Sequence, residues 1–299
     1  MMDLQSTSFE GSLRLAIFVA ILAAMAGAEA LLPRRERHFG RPRRWFTNLL
    51  IAGIDTFLLR LLFPVAAIGV ALLADMRGWG LFNMTSLPPW LEGLAAFLAL
   101  DLAIYGQHVA SHKVPVLWRL HRVHHADPDI DVTTGIRFHP VEIILSMLFK
   151  MAVVLILGAP AMAVFIFEVV LNGTALFNHA NCKLPLGADR LLRLIIVTPD
   201  MHRVHHSIIR RETDSNYGFN LSLWDMLFGT YRAQPERGHK DMEIGLPEIR
   251  DDRPTQLLWS LWFPFARGNV PPVNKSSREN DAGTALHRSR PDKPAAGQN

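Results

Sequence analysis

His108-Val-Ala-Ser-His112, His121-Arg-Val-His124-His125 and His202-Arg-Val-His205-His206 are the three runs whose reading decides how this chain must fold. With His139 and His179 between them, residues 108–206 hold ten of the thirteen histidines; only His38, His239 and His287 lie outside. Residues three and four apart on a helix share a face, so His108 with His112, and each His-x-x-His-His triplet, predict helical stripes of imidazole. Three such helices about one centre bring eight rings together, enough for two metal ions with room for an exchangeable ligand. Buried without partners, eight rings would be costly. Imidazole-rich sets suit iron, zinc, copper or nickel. His38, His239 and His287 read as surface residues. His139 and His179 stay open between ligand and ordinary polar contact.

The chain has 299 residues and is 49% hydrophobic, and its apolar residues are bunched into long runs, which is a membrane signature. Its one cysteine, Cys182, excludes an internal disulfide and a thiolate cage, so any metal is held by nitrogen and oxygen. The net charge of +4 could suggest nucleic acid. However, much of the basic excess (Arg34, Arg35, Arg37, Arg41, Arg43 and Arg44) lies between two apolar runs. There it reads as a topology signal or a contact with anionic lipid, and no nucleic-acid partner is expected.

Working outward, residues 13–32 form a first apolar run. A signal peptide is the competing reading. The positive charge follows this run instead of preceding it, which favours a retained membrane helix. The Arg-rich loop 33–45 then marks the cytoplasmic side. Residues 46–74 predict a second span, with Asp55 and Arg60 able to pair or to face the bundle. Residues 90–107 predict a third span that returns to the cytoplasm as it reaches His108. Residues 141–177 are apolar again and are broken at Gly158-Ala159-Pro160. A single span there would separate His108–His125 from His179 and His202–His206. A hairpin of two short helices returns both to one face, and Gly and Pro are the expected breakers. Aromatic residues near the end (Trp224, Phe228, Tyr231, Trp259, Trp262, Phe263 and Phe265) include candidates for the lipid interface. Residues 1–265 read as one membrane-embedded domain and 266–299 as a disordered tail.

Other metal and cofactor patterns are missing: there is no His-Glu-x-x-His, no phosphate loop and no dinucleotide fingerprint. The only Glu-x-x-His, Glu236 to His239, lies outside the cluster. Asp127, Asp131, Glu142, Asp214 and Asp225 are candidates to accept the other ring N–H of ligating histidines, with Asp214 and Asp225 the preferred pair. Asn178 and Asn181 bracket His179 and could hold a metal-bound water. Loop or helix-cap roles remain open for all of these.

These residues resemble the membrane-bound fatty acid hydroxylase and sterol desaturase superfamily. The resemblance runs through the three histidine runs and is strengthened by Arg137-Phe138-His139-Pro140-Val141-Glu142, Phe177-Asn178-His179-Ala180-Asn181 and Thr213-Asp214-Ser215-Asn216-Tyr217-Gly218. Leu223-Trp224-Asp225 and Leu227-Phe228-Gly229-Thr230-Tyr231 extend it, so that it covers roughly residues 90–235. Within the superfamily the chain looks most like the bacterial-type sterol desaturase branch that also resembles alkylglycerol monooxygenase.

The resemblance implies an all-α integral membrane bundle of four to five membrane helices, including the hairpin at 141–177, under a cytoplasmic helical cap that carries the histidines. It implies a di-iron centre, with zinc a possible occupant as purified, held by His108, His112, His121, His124, His125, His202, His205 and His206. His139 and His179 match flanking family histidines that complete the shell. It further implies an enzyme that hydroxylates or desaturates a lipid with molecular oxygen. No fused haem domain is visible, so electrons are expected from a separate protein. The setting implied is a multi-pass protein of a bacterial inner membrane. A membrane metal transporter and a zinc-dependent lipid hydrolase are the alternatives. Transporters usually place ligands near the bilayer midplane within broken helices, whereas these histidines fall at or beyond helix ends.

Overall fold

A computed structural model of the chain describes residues 4–266. It is all-helical, and among the described residues extended backbone forms only isolated bridges. Five stretches are long and apolar enough to cross a membrane: Gly11–Leu31, Arg41–Met84, Pro89–Lys113, Pro140–Leu157 and Ala161–His179. The chain is a multi-pass membrane protein. The expectation of a disordered tail falls on residues outside those described, except for Ala266, as does His287.

The spans are built from α1 (Leu4–Leu31), α2 (Arg41–Leu62), α3 (Ala66–Arg77), α4 (Pro89–Lys113), α6 (Pro140–Leu157) and α7 (Ala161–His179), with the short α5 (Pro115–His125) after α4. The predicted second span is two helices, not one. Pro64 has no N–H to continue the ladder, and Phe63 closes α2 by donating to the Leu59 carbonyl at 2.8 Å. Buried Ala67, Ala71, Ala96 and Ala163 let α3, α4, α6 and α7 approach closely. Leu100, Val154 and Phe167 fill the space between them, with Phe167 edge-to-face on Phe97 at 5.5 Å. The outer faces carry exposed Leu15, Phe57, Ile156 and Met162, as a lipid-facing bundle requires. Asp55 is buried with one oxygen unpartnered, so the suggested pairing with Arg60 is not formed by that oxygen. Instead, the ionic contact within the bundle joins Glu168 of α7 to Lys150 of α6 and to Arg14 of α1, the latter at 2.9 Å.

The hairpin expected at Gly158-Ala159-Pro160 is present. Gly158 ends α6 at φ 63, a left-handed conformation that glycine adopts without steric cost, and Pro160 precedes α7. The two arms return His139 and His179 to the same end of the bundle.

The remaining chain caps that end with α8 (Leu186–Leu192), α9 (Pro199–His205), α10 (Arg210–Thr213), α11 (Leu223–Leu227), α12 (Gly238–Asp241) and α13 (Leu257–Trp262). Here the arginine-rich segment behaves differently from expectation. Arg44 is buried between Asp127 at 2.7 Å and Asp131 at 2.6 Å, and Arg34 pairs with Asp200 at 3.0 Å. Arg37 and Arg41 share the buried Glu29. Most of this positive charge therefore ties the first loop and the start of α2 to α1, to the segment after α5 and to the cap instead of reaching lipid head groups. His239, expected at the surface, is buried 3.6 Å from Asp200, and Trp224, a candidate for the lipid interface, is buried with its indole N–H on Asp101 at 2.8 Å.

Candidate metal centre

Prolines set the local geometry of the site. Pro115 disfavours helix at Val114, which is extended (φ −96, ψ 117), and itself begins α5. One residue therefore separates α4 from α5, and the corner folds His121–His125 back onto His108 and His112. Pro140 starts α6 and Pro199 starts α9, the latter capped by Thr198, whose hydroxyl donates to Asp189 at 2.6 Å.

The structure divides the histidines into two groups able to hold a metal: His108, His112, His121, His125 and His205; and His124, His179, His202 and His206. Within each group one ligand atom per residue lies within 4.8 Å of every other, and all are buried. This refines the expectation of a single stripe per triplet. Pairs four apart (His108 and His112, His121 and His125, His202 and His206) stay together, while His124 and His205 cross to the other group. A helix turns about 100° per residue, so positions four apart differ by only about 40°, whereas adjacent rings diverge. Each triplet thus serves both groups.

Proton positions support a cation in each group. The His108 Nδ1 donates to the Tyr217 carbonyl at 2.7 Å, and His121 Nδ1 donates to Glu142 at 2.6 Å. For neutral rings this leaves both Nε2 atoms as bare lone pairs, yet they stand 3.1 Å apart. In the second group His179 Nδ1 donates to the Ala175 carbonyl at 2.7 Å, and its Nε2 lies 3.1 Å from that of His124 and 3.0 Å from that of His202. His206 Nε2 follows at 3.3 Å from His202 Nε2. Two nitrogens each about 2.1 Å from a shared ion and about 90–105° apart would be separated by about 3.0–3.3 Å, so the donor set fits a metal. In addition, His112, His125 and His205 each carry an Nε2 that is buried without a protein partner.

Burial pushes the His205 ring down to about 3 and holds His124, His125, His202 and His206 well below the usual imidazole range, with the neighbouring histidines adding to the effect. These rings are neutral at neutral pH and offer lone pairs to a metal.

The groups that orient the rings are mostly main-chain carbonyls. Besides Tyr217 and Ala175, the Ser215 carbonyl accepts from His205 Nδ1 at 2.7 Å. Sequence reasoning missed all three, because a carbonyl leaves no mark on residue identity. Glu142 was among the candidates and does reach His121. Asp214 stands 3.6 Å from His112 Nδ1 and also pairs with Lys113 and Arg210. Asp225 touches no histidine; it accepts from the Tyr217 and Gly218 amides at 2.8 Å each and so holds the loop whose carbonyl orients His108. Asp127 and Asp131 bind Arg44. Asn181 braces the first loop through Arg35, and Asn178 donates to the Phe219 carbonyl at 3.1 Å while its oxygen is buried without a partner. His139 is not brought into either group. Its Nδ1 accepts from the Val141 amide at 3.2 Å as the cap of α6, and its Nε2 donates to the Leu261 carbonyl at 3.1 Å.

Two predictions arise from these supports. Glu142→Ala removes the carboxylate that fixes the His121 tautomer and is expected to weaken metal affinity about 10–100-fold, read by competition with a chelator. Unchanged affinity would rule out an orienting role for Glu142. Gly135→Ala would place its Cβ 2.4 Å from the Ala175 carbonyl oxygen, the acceptor for His179. Overpacking there is expected to cost about 1–3 kcal/mol and to reduce metal retention, measured by thermal unfolding with and without chelator.

Residues 93–230 match the family model described as fatty acid hydroxylase. Among curated proteins the chain is similar to alkylglycerol monooxygenase of Homo sapiens, 33% identical over 195 residues, covering 63% of this chain and 41% of that protein. It is similar to ornithine lipid hydroxylase OlsE of Rhizobium tropici, 32% identical over 158 residues (52% and 47% covered), and to cholesterol 25-hydroxylase of Mus musculus, 26% over 144 residues (48% and 47%). The chain spans less than half the length of these curated relatives. No solved structure matches it.

Proposed function

We propose, from the match of residues 93–230 to the fatty acid hydroxylase family and the similarity to lipid hydroxylases, that this chain is a membrane-bound di-iron oxygenase that hydroxylates or desaturates a C–H bond of a lipid. The observation that carries the reading is the pair of buried all-imidazole groups, five and four residues strong, at one end of an apolar helical bundle. His108, His112, His121, His125 and His205 would hold one iron, and His124, His179, His202 and His206 the other. When bound, the irons supply the oxidising power needed against an unactivated C–H bond.

The protein's own contribution is placement and exclusion of water. The carbonyls of Tyr217, Ala175 and Ser215, together with Glu142, fix the ring tautomers before any ligand arrives. Phe138 stacks on His124 at 4.5 Å, and Phe219 lies 4.9 Å from His108, so apolar rings wall both groups. Lipid reaches this end of the bundle without leaving the bilayer. Hydroxylation takes one oxygen molecule, two electrons and two protons to an alcohol and water; desaturation takes the same inputs to an alkene and two waters. A separate protein supplies the electrons. The arginine-rich segment lies at the histidine end, which supports a cytoplasmic site by the positive-inside rule, and the similarity to the Rhizobium hydroxylase supports a bacterial inner membrane.

Lipid extracts of cells with and without the gene, compared under oxygen by mass spectrometry, test the reading. The expected difference is a species heavier by one oxygen or lighter by two hydrogens that disappears in anaerobic culture. A lipid change that persists without oxygen would replace the oxygenase reading with that of a hydrolase.

A further inference from the structure

A cavity of about 380 Å³ lies between the outer face of α4 and the segment 214–230, separate from the space between the histidines. Its α4 wall is Tyr105, Gly106, Val109 and Lys113, positions that repeat along one side of a helix. Three residues below Tyr105, the same side continues to Leu102, an exposed, lipid-facing residue of the span. Opposite stands Phe228, stacked on Tyr105 at 5.4 Å, next to the exposed apolar Leu223, Met226 and Leu227 of α11. The cavity is therefore a continuation of the membrane-facing surface, apolar at depth and charged only at the level where the span ends.

Two observations point to a ligand. The back wall is Tyr217, 1% exposed, with its hydroxyl buried beside the Asp214 carboxylate. The ring of Tyr217 also lies 5.7, 5.2 and 5.6 Å from His108, His112 and His205, so it is the wall that the cavity shares with the first histidine group. At the mouth, Lys113 and Arg210 share the single carboxylate of Asp214, each at 2.9 Å, which leaves an excess positive charge there. Both cations are about half exposed (47% and 50%); Arg210 is also held by the His112 carbonyl at 3.1 Å and lies over the Trp118 ring, whereas Lys113 is free to turn toward a second anion.

We propose that this cavity seats a lipid with an anionic head group, its chain along the 102–109 side of α4 and its head group at Lys113 and Arg210. The orientation is that of a lipid already in the leaflet, with the chain toward the bilayer and the head at the end of the span. Entry needs no extraction into water. Naming the occupant as substrate rests on the oxygenase reading; its binding does not.

The test uses the full chain, loaded with iron, in phosphatidylcholine vesicles that contain either diazirine-tagged phosphatidic acid or diazirine-tagged diacylglycerol of the same chain length. After illumination, peptide mapping is expected to concentrate phosphatidic acid adducts on the stretches 105–109 and 217–228, about fivefold over diacylglycerol, and Lys113→Ala is expected to remove that preference. Gly106→Leu fills the cavity without touching the backbone, because a Cβ at Gly106 meets nothing within 4 Å. It is expected to abolish the adducts with bound iron unchanged. Adducts spread evenly over the lipid-facing helices, or undiminished in Gly106→Leu, would overturn the proposal. An active enzyme without the enrichment would sink the lipid seat alone. Enriched adducts on a chain that makes no oxidised lipid would sink the oxygenase reading alone.

Discussion

His202→Ala is expected to abolish lipid oxidation, by more than the roughly 100-fold that loss of an outer support costs, and to lower bound iron from about two per chain to about one. His202 is the centre of the group of four: its Nε2 lies 3.0 Å from that of His179 and 3.3 Å from that of His206. Removing it leaves three rings, while the five of the other group keep their carbonyl and carboxylate supports. Elemental analysis of purified protein together with product mass spectrometry reads both outcomes. His139→Ala provides the contrast. It loses a helix cap, about 1 kcal/mol, and the bond to the Leu261 carbonyl, and is expected to keep both irons, because both of its ring nitrogens are engaged outside the groups. Two irons retained in His202→Ala, or one lost in His139→Ala, would show that the five-and-four division is wrong.

The second large effect is expected from Arg44→Ala. Arg44 is 1% exposed and joins the start of α2 to two buried carboxylates, Asp127 and Asp131, in the loop directly after α5. That loop leads into the 3₁₀ turn Val132–Ile136, where Asp131 caps the backbone of Thr133 and Gly135 packs on α7. Removing the guanidinium leaves two buried carboxylates without their cation, a change that typically costs about 3–5 kcal/mol. Its effect should reach the centre because this turn presses on the carbonyl that orients His179. The expected result is a protein that unfolds at markedly lower temperature and binds iron poorly even in excess. Restoring the charge with Arg44→Lys should recover only part, since a single ammonium cannot make the forked contacts to both aspartates. Thermal stability equal to that of the parent would show that the ion cluster does not hold α2 to the loop after α5.

The histidine runs, the apolar spans and the breaker at Gly158-Ala159-Pro160 could be read from the chain because each is a local property. Spacing of three and four puts rings on one side of a helix, a long apolar run needs lipid, and Gly with Pro ends a helix whatever surrounds it. Joined by one requirement, that all the histidines share an end, these features predict the hairpin. The break at Pro64 is equally local, since a proline has no N–H to continue the ladder.

What the chain alone left open depended on contacts between distant residues. His139 and His179 sit in similar flanking stretches, yet only His179 faces the centre, because α7 passes against α9 while His139 is turned toward α13 to cap α6. The arginines of the first loop look like contacts for anionic lipid until Glu29, Asp127, Asp131 and Asp200 arrive to pair with most of them. Asp225 acts on the loop that orients His108, and the orienting acceptors themselves are carbonyls that any residue would supply. Sequence by itself therefore determined which residue type could bind metal and that its clustered runs gather at one end of the bundle. The tertiary structure decided how they divide, since neighbouring rings on one helix point in different directions and only the crossing of α4, α5, α7 and α9 selects which of them meet.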